Sequence, residues 1–482
     1  MRILSTLTLL LFLVFPIFSQ EQIGLRLDNY SGVNGLLINP TQSVTSPFRW
    51  DLNLFSGGFN GQSNYGHLQE TSLLHAWQNG ESIVAQRDIE NGATPPTGAL
   101  IAVANNSNSK KYLSSFGFGT GPSLMINMES GHSVGFFTQA RFGYSIHDIP
   151  ASISFDRFYD TPFFDFIEVE PFHMAGMAWA ELGLNYAYKF PTYDGYMALG
   201  INLKFIQGYE AAFLQTSAVN PVSQNPGDTI IFQALNVDYG LTTSNLSVAD
   251  FPDDASASPT INGGGIGVDL GYSYIYEGDE DNYKWKLGAS LLDLGSINFT
   301  KNAEVHDLRN DTLQSFDQNQ YKEGLIEERI QSISFETYGD STASLEARSF
   351  RVALPSALSL QFDYMLIENV YVNALLIQRI ALGGSAALRR NNLFAVSGRF
   401  EHRWFGGGIS ISALNYKQVA VGLSGRLAFL TLGTEDVGSL FGRRNLNSTD
   451  FYVGIKINPF DLGLNLGGGG SGRGKNVKCY EF

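Results

Sequence analysis

The chain has 482 residues, with 31 Lys and Arg against 46 Asp and Glu, and a formal net charge of −15. Charged residues make up only 16% of it, below the roughly 25% of a soluble protein, while aromatics reach 13%. The acidic balance excludes ordinary nucleic-acid binding, which needs clustered Lys and Arg, and the single cysteine, Cys479, excludes an internal disulfide and a Cys-based zinc site.

The long apolar run lies at the N-terminus. Arg2 precedes the apolar stretch Ile3 to Phe15, and Pro16 to Ser19 lead to a plausible cut before Gln20. This order is that of a secretory signal peptide, so residues 1–19 are expected to be removed on export. The apolar part is shorter than the roughly 20 residues a spanning helix needs, and no later run approaches that length.

Beyond it, alternation of apolar and polar residues dominates. In chain order the expected strands are 50–59, a weak 65–77, 113–128, 134–146, 179–190, 197–209, 266–276, 285–294, 358–366, 370–377, 393–402, 405–413, 419–429 and 451–457. In 179–190 one parity reads Ala180, Leu182, Leu184, Tyr186, Tyr188, Phe190, and the other Trp179, Glu181, Gly183, Asn185, Ala187, Lys189. Successive strand residues point to opposite faces, so such a segment has one greasy and one wet face. Tight turns are expected at 191–195, 278–281, 367–369 and 415–417, and long polar loops at about 80–111, 148–175, 214–262 and 301–352.

The pattern predicts an antiparallel all-β chain. In a soluble sandwich the greasy faces would meet in a core; in a transmembrane barrel they meet lipid and the polar faces line the interior. Export, strand length, and Tyr or Trp near the strand ends favour a transmembrane β-barrel of about fourteen strands. The alternation of short and long connections leaves one strand misread or missed, with 229–240 and 334–352 as places to look for it. Residues 20–48 are expected to form a plug-like segment, 49–460 the barrel, and 461–482 a flexible Gly-rich tail.

The run from Asp28 to Pro40, leading into Ser46 to Asn53, resembles the opening of an uncharacterised family of gram-negative outer-membrane barrels. Further matching stretches are Trp179–Leu184, Leu354–Leu360 and Asp450–Lys456. More distantly, Asn39-Pro40 is similar to the Asn-Pro-Ala element before the first strand of the long-chain fatty-acid transporter barrels, with Thr41 in place of Ala. The nearer resemblance implies an outer-membrane barrel of about fourteen strands with no established substrate. The distant one implies an N-terminal plug, for which Asn39 and Pro40 are the candidates, and a hydrophobic cargo.

Enzyme chemistry finds little support. Gly467, Gly469 and Gly472 match a dinucleotide fingerprint, but no strand precedes them and no helix follows, so a flexible tail is expected. The seven histidines lack the spacing that puts two ligands on one helix face, and there is no Gly-x-Ser-x-Gly elbow. No catalytic residue, metal or cofactor is expected.

The informative set is the charges on the polar faces: Arg141, Glu181, Lys204, Asp269, Lys284, Asp363, Arg399 and Arg426. On a lipid face near the midplane each basic one would cost about 2–4 kcal/mol, so all are expected to face the lumen, as pairs filling it or as groups setting selectivity. The favoured reading is transport of a small, hydrophobic solute across the outer membrane. The alternative is a non-transporting scaffold or secretion-accessory barrel that binds a protein partner through its long loops. Outer-membrane lipid is a partner in either case, and nucleic acid in neither.

Overall fold

The computed structural model describes residues 21–79, 82–244, 260–278, 282–321, 326–380, 386–442 and 444–458. The signal segment, the acidic runs at 250–254 and 279–281, the Gly-rich tail and Cys479 lie outside the described residues.

Among the described residues fourteen antiparallel strands close on themselves. They are β1 (Trp50–Ser63), β2 (Lys111–Thr120 continued by Ser123–Asn127), β3 (His132–Ile149), β4 (His173–Thr192), β5 (Gly195–Thr216), β6 (Gly263–Gly278) and β7 (Tyr283–Phe299). There follow β8 (Phe350–Ala353 continued by Ala357–Ile367), β9 (Val370–Arg379), β10 (Leu393–Glu401), β11 (Phe405–Leu414), β12 (Gln418–Leu427), β13 (Leu430–Thr434) and β14 (Ser448–Ile457). Each pairs with its sequence neighbours, and β1 pairs with β14 from Leu52↔Ile457 to Gln62↔Ser448, so no edge is left open.

The alternation decides which way the faces look. Along β5, Leu199, Ile201, Leu203 and Phe205 are 36–53% exposed, whereas Asn202 and Lys204 are 0% and 3% exposed. The greasy face is therefore the outside of the barrel and the polar face its filled inside, the reverse of a sandwich. Aromatic side chains collect where the hairpins are tight: Tyr186, Phe190, Tyr272 and Tyr364 are exposed there, and Tyr276 stacks on Trp285 at 4.9 Å.

The wall has a turn end and a loop end. Short connections such as 193–194, 368–369 and 402–404 lie at one; both wall termini are there too. The long connections lie at the other, and the tight turn at 415–417 is among them. The wall is tall over β4 and β5, of 20 and 22 residues, and low at β13, of five. Two small four-stranded sheets sit at the loop end, one from 66–71, 83–85, 100–104 and 444–446, the other from 167–169, 220–225, 229–232 and 314–317.

Three expectations need correcting. The weak candidate 65–77 is not a wall strand; Gly66–Thr71 joins the first of those small sheets and Leu73–Asn79 is helical. The missing wall strand lies neither in 229–240 nor as a new strand within 334–352. Residues 229–232 join the second small sheet, 235–242 pair with the loop end of β5 and with 303–310 as an extension of the large sheet, and Phe350–Ala353 is the first part of β8. The missing strand is β13, reached by a two-residue turn at Ala428, whose φ is +49°, and Phe429.

Candidate functional site

The barrel interior is occupied by the chain's own first residues. Residues 21–48 form three short helical turns, Ile23–Arg26, Gly32–Leu37 and Gln42–Thr45, and nearly every residue of the segment is buried. Helices this short are marginal alone. They hold because inward-facing wall side chains take up their free carbonyls. Asn202 donates to the Leu36 carbonyl at 3.0 Å, Ser290 to that of Ile38 at 2.6 Å, and Asn185 to that of Pro40 at 2.9 Å.

Asn39 and Pro40 sit in a cradle of glycines. A Cβ on Gly200 would lie 2.7 Å from the Pro40 carbonyl carbon, and one on Gly271 2.4 Å from Asn39 Oδ1. These wall positions are glycine because the plug touches their backbone. Asn39 Nδ2 donates to the Tyr272 carbonyl at 3.2 Å, and its Oδ1 accepts from Thr41 N and Oγ1 at 3.1 and 2.8 Å. Thr41 Oγ1 also lies 2.6 Å from Ser273 Oγ, so the hydroxyl that departs from the distant family's Ala ties the plug to β6.

Around the first residues of the plug lies a charge lattice. Arg141 donates to both oxygens of Asp293 at 2.8 and 2.9 Å and approaches Glu181 at 3.6 Å. Lys204 bonds Asp269 at 2.8 Å and Asp293 at 2.7 Å. Arg390 reaches Asp293 at 3.4 Å and is hydrogen-bonded to Glu21, which Arg26 approaches at 3.6 Å. Arg26, Arg141, Lys204 and Arg390 thus face Glu21, Glu181, Asp269 and Asp293, a neutral set. Removing any one strands a buried charge.

A second group holds the plug toward the turn end. Arg399 bonds Asp363 and Glu401, and Arg426 bonds Asp28 of the plug at 2.9 Å. Lys286 and Tyr283 both donate to Asn29 Oδ1, at 3.1 and 3.0 Å, and Lys456 pairs with Asp51 at 3.3 Å.

Seven of the eight charges expected in the lumen are in these two groups. Arg141, Glu181, Lys204 and Asp269 meet in the first, and Asp363, Arg399 and Arg426 in the second. Lys284 is a correction. It is about half exposed at the turn end and pairs there with Glu277 at 3.2 Å; Lys286, two residues on, is the buried one. Sequence reasoning missed Asp293, Glu21 and Arg390. Asp293 sits at a bulge with φ +54°, opposite the register shift between Val268 and Leu270, and the Leu291-Leu292 doublet is its trace in the sequence.

Toward the loop end the interior turns apolar. Phe116, Met177, Trp179, Phe213, Phe299 and Phe350 line a chamber, with Phe299 stacked on Phe350 at 5.3 Å. It is filled by Ala386 and Leu388 of a strap, residues 386–392, that bridges to Ala353, runs past Ser145 of β3 and leads into β10. Among the described residues, two cavities of the barrel hold about 20 Å³ each, room for one water rather than a solute. One is lined by Arg26, Phe118, Gln139, Trp179, Asp293 and Arg390. Among the described residues no cluster of three or more possible metal ligands is assembled.

Several solved barrels are similar in outline. The toluene transporter TbuX of Ralstonia pickettii is 9% identical, with a TM-score of 0.37, covering 92% of this chain and 98% of its own. The toluene transporter TodX of P. putida is 11% identical with a TM-score of 0.38 (89% and 94% covered). A FadL homologue of Pseudomonas aeruginosa is 9% identical with a TM-score of 0.23 (92% and 98% covered). No curated protein matches. A family profile covers residues 42–435, and the chain belongs to that family, the Family of unknown function (DUF5723).

Proposed function

We propose that this protein resides in the outer membrane of a gram-negative bacterium and passes a small hydrophobic solute through its barrel. The observation that carries the reading is the apolar chamber at the loop end, which Ala386 and Leu388 of a strap fill together with side chains of the wall. A greasy solute entering from outside would displace Ala386 and Leu388 and keep its surface dry. Below the chamber, the plug and the neutral lattice block water and ions until the plug shifts. A wall with a greasy outside supports the location.

The test is uptake of a small radiolabelled aromatic hydrocarbon by cells expressing the full chain, beside cells carrying Arg390→Ala. The variant frees the strap from Glu21 and Asp293 and is expected to raise the rate. If neither protein raises uptake of any apolar solute above the empty host, while both migrate as folded barrels, the transport reading fails. One observation favours the rival reading of a closed scaffold: the plug is bonded to the wall along its length. Under that reading a partner binds the loop-end sheets, and crosslinking from intact membranes would recover it.

A further inference from the structure

At the rim of the apolar chamber the wall carries polar groups that neither the plug nor the lattice uses. His147 of β3 and His173 of β4 are direct partners across the ladder, and they share the inward parity of Ser145 and Ala175. The strap passes beside them. Its Arg389 backbone N–H donates to Ser145 Oγ at 3.2 Å, and its guanidinium lies 3.4 Å from Asp148 Oδ2. Arg379, at the loop end of β9 and on that strand's inward parity, is within electrostatic range of His147 and Arg389.

Two guanidiniums and two imidazoles therefore crowd one carboxylate. The lattice below is balanced four against four; this rim is not. His147 is only 7% exposed, yet its Nε2 has no hydrogen-bond partner, and neither does His173 Nδ1. Buried polar nitrogens are nearly always satisfied, and like charges gathered together repel unless an anion joins them. Both irregularities have the same remedy.

We propose that His147, His173, Arg379 and Arg389 form a binding site for a small oxyanion, the phosphate, sulfate or carboxylate group of a solute arriving from the loop end. A guanidinium fork matches two oxygens of such a group, and imidazole N–H groups complete the shell. Asp148 offsets one positive charge and leaves a surplus. A divalent metal is the natural rival for two facing imidazoles, but the flanking arginines repel it. The site does not depend on the transport reading, because it would bind at the mouth of a barrel that never opens.

The folded full chain in detergent is titrated by calorimetry with inorganic phosphate, sulfate and acetate, and separately with zinc chloride. Saturable binding of at least one oxyanion is expected, weakened about tenfold or more by Arg389→Gln and by Arg379→Gln, the fold-change of losing one charge-assisted bond. Lys284→Gln, far away at the turn end, should leave it unchanged. Binding should tighten as the pH falls below the ordinary imidazole range, since burial and the neighbouring arginines hold both imidazoles down and their protonation adds charge beside Arg379, Arg389 and Asp148; metal binding would weaken instead. Which anion saturates identifies its source. The proposal is overturned if no oxyanion saturates the wild type, if both arginine variants bind as well as it does, or if zinc binds and the anions do not. Failure of solute uptake with retained anion binding would sink the transport reading alone.

Discussion

Asp293 joins the two halves of the lumen lattice, so Asp293→Asn is the sharpest single perturbation. Asparagine has nearly the same volume and tolerates a φ of +54°, so the change removes charge and little else. The wild-type carboxylate accepts two bonds from Arg141 and one from Lys204, all under 3 Å, with Arg390 at 3.4 Å. Charge-assisted bonds contribute about 1.5–3 kcal/mol each, and the asparagine oxygen keeps a weaker version of some of them. Breaking a buried ion pair from one side costs about 3–5 kcal/mol, and that is the expected loss. Urea unfolding of the barrel in lipid, followed by tryptophan emission, measures it; Trp179 lies under the Arg141 guanidinium at 4.9 Å and reports locally. Adding Arg141→Met to Asp293→Asn should cost at least about 1 kcal/mol less than the sum of the singles, because it removes a stranded cation. A single-variant loss under about 1 kcal/mol, or strict additivity, would mean that water screens the lattice, and the closed-lumen reading would be wrong.

Other substitutions probe the remaining layers. Leu203→Lys, on the outward face at the middle of β5, should cost about 2–4 kcal/mol in lipid vesicles; a neutral result would mean this face does not meet hydrocarbon. At Gly183 an added Cβ would lie 2.0 Å from the Phe137 ring, so Gly183→Ala should cost about 1–3 kcal/mol by overpacking. Gly425→Ala, with nothing within 4 Å of its Cβ, should leave the urea midpoint where it is, and equal losses at both glycines would refute the packing argument. Lys286→Gln should speed amide exchange at residues 28–31 by loosening Asn29, while Lys284→Gln should not; equal effects would place both lysines at the rim.

Period-two alternation carried most of the architecture because a strand with lipid on one side and packed polar groups on the other has no other way to be written. The stretches around Leu203 and Leu184 could be oriented from sequence for that reason. β13 escaped because the chain reverses at Ala428-Phe429, without glycine, proline or asparagine to mark the turn, and five residues are too few for a period to show. The spurious 65–77 strand and the overlooked β13 cancelled, so the total of fourteen came out right while its membership did not. Lumen charges were legible wherever parity was unbroken, as at Arg141 and Lys204. Parity failed at the Asp293 bulge and near the β6–β7 turn, where Lys284 has the inward parity but reaches solvent. Arg390 and Glu21 belong to segments with no period, and only the folded chain brings residues 369 positions apart into contact.

The seam between β1 and β14 joins the two ends of the wall, and the segment that fills the interior comes immediately before β1. Zipping that seam therefore traps whatever lies inside, and the filling has to be seated before or during the final pairing. Ile23 meets Glu435 and Asp28 meets Arg426, contacts made only once the whole polypeptide has been synthesised. Loop closure over such separations is slow, which leaves the half-assembled cylinder gaping with raw β edges exposed. A chain built this way makes its own insertion the vulnerable stage of its life, and a compound that bridged the open first and last strands would stop it there.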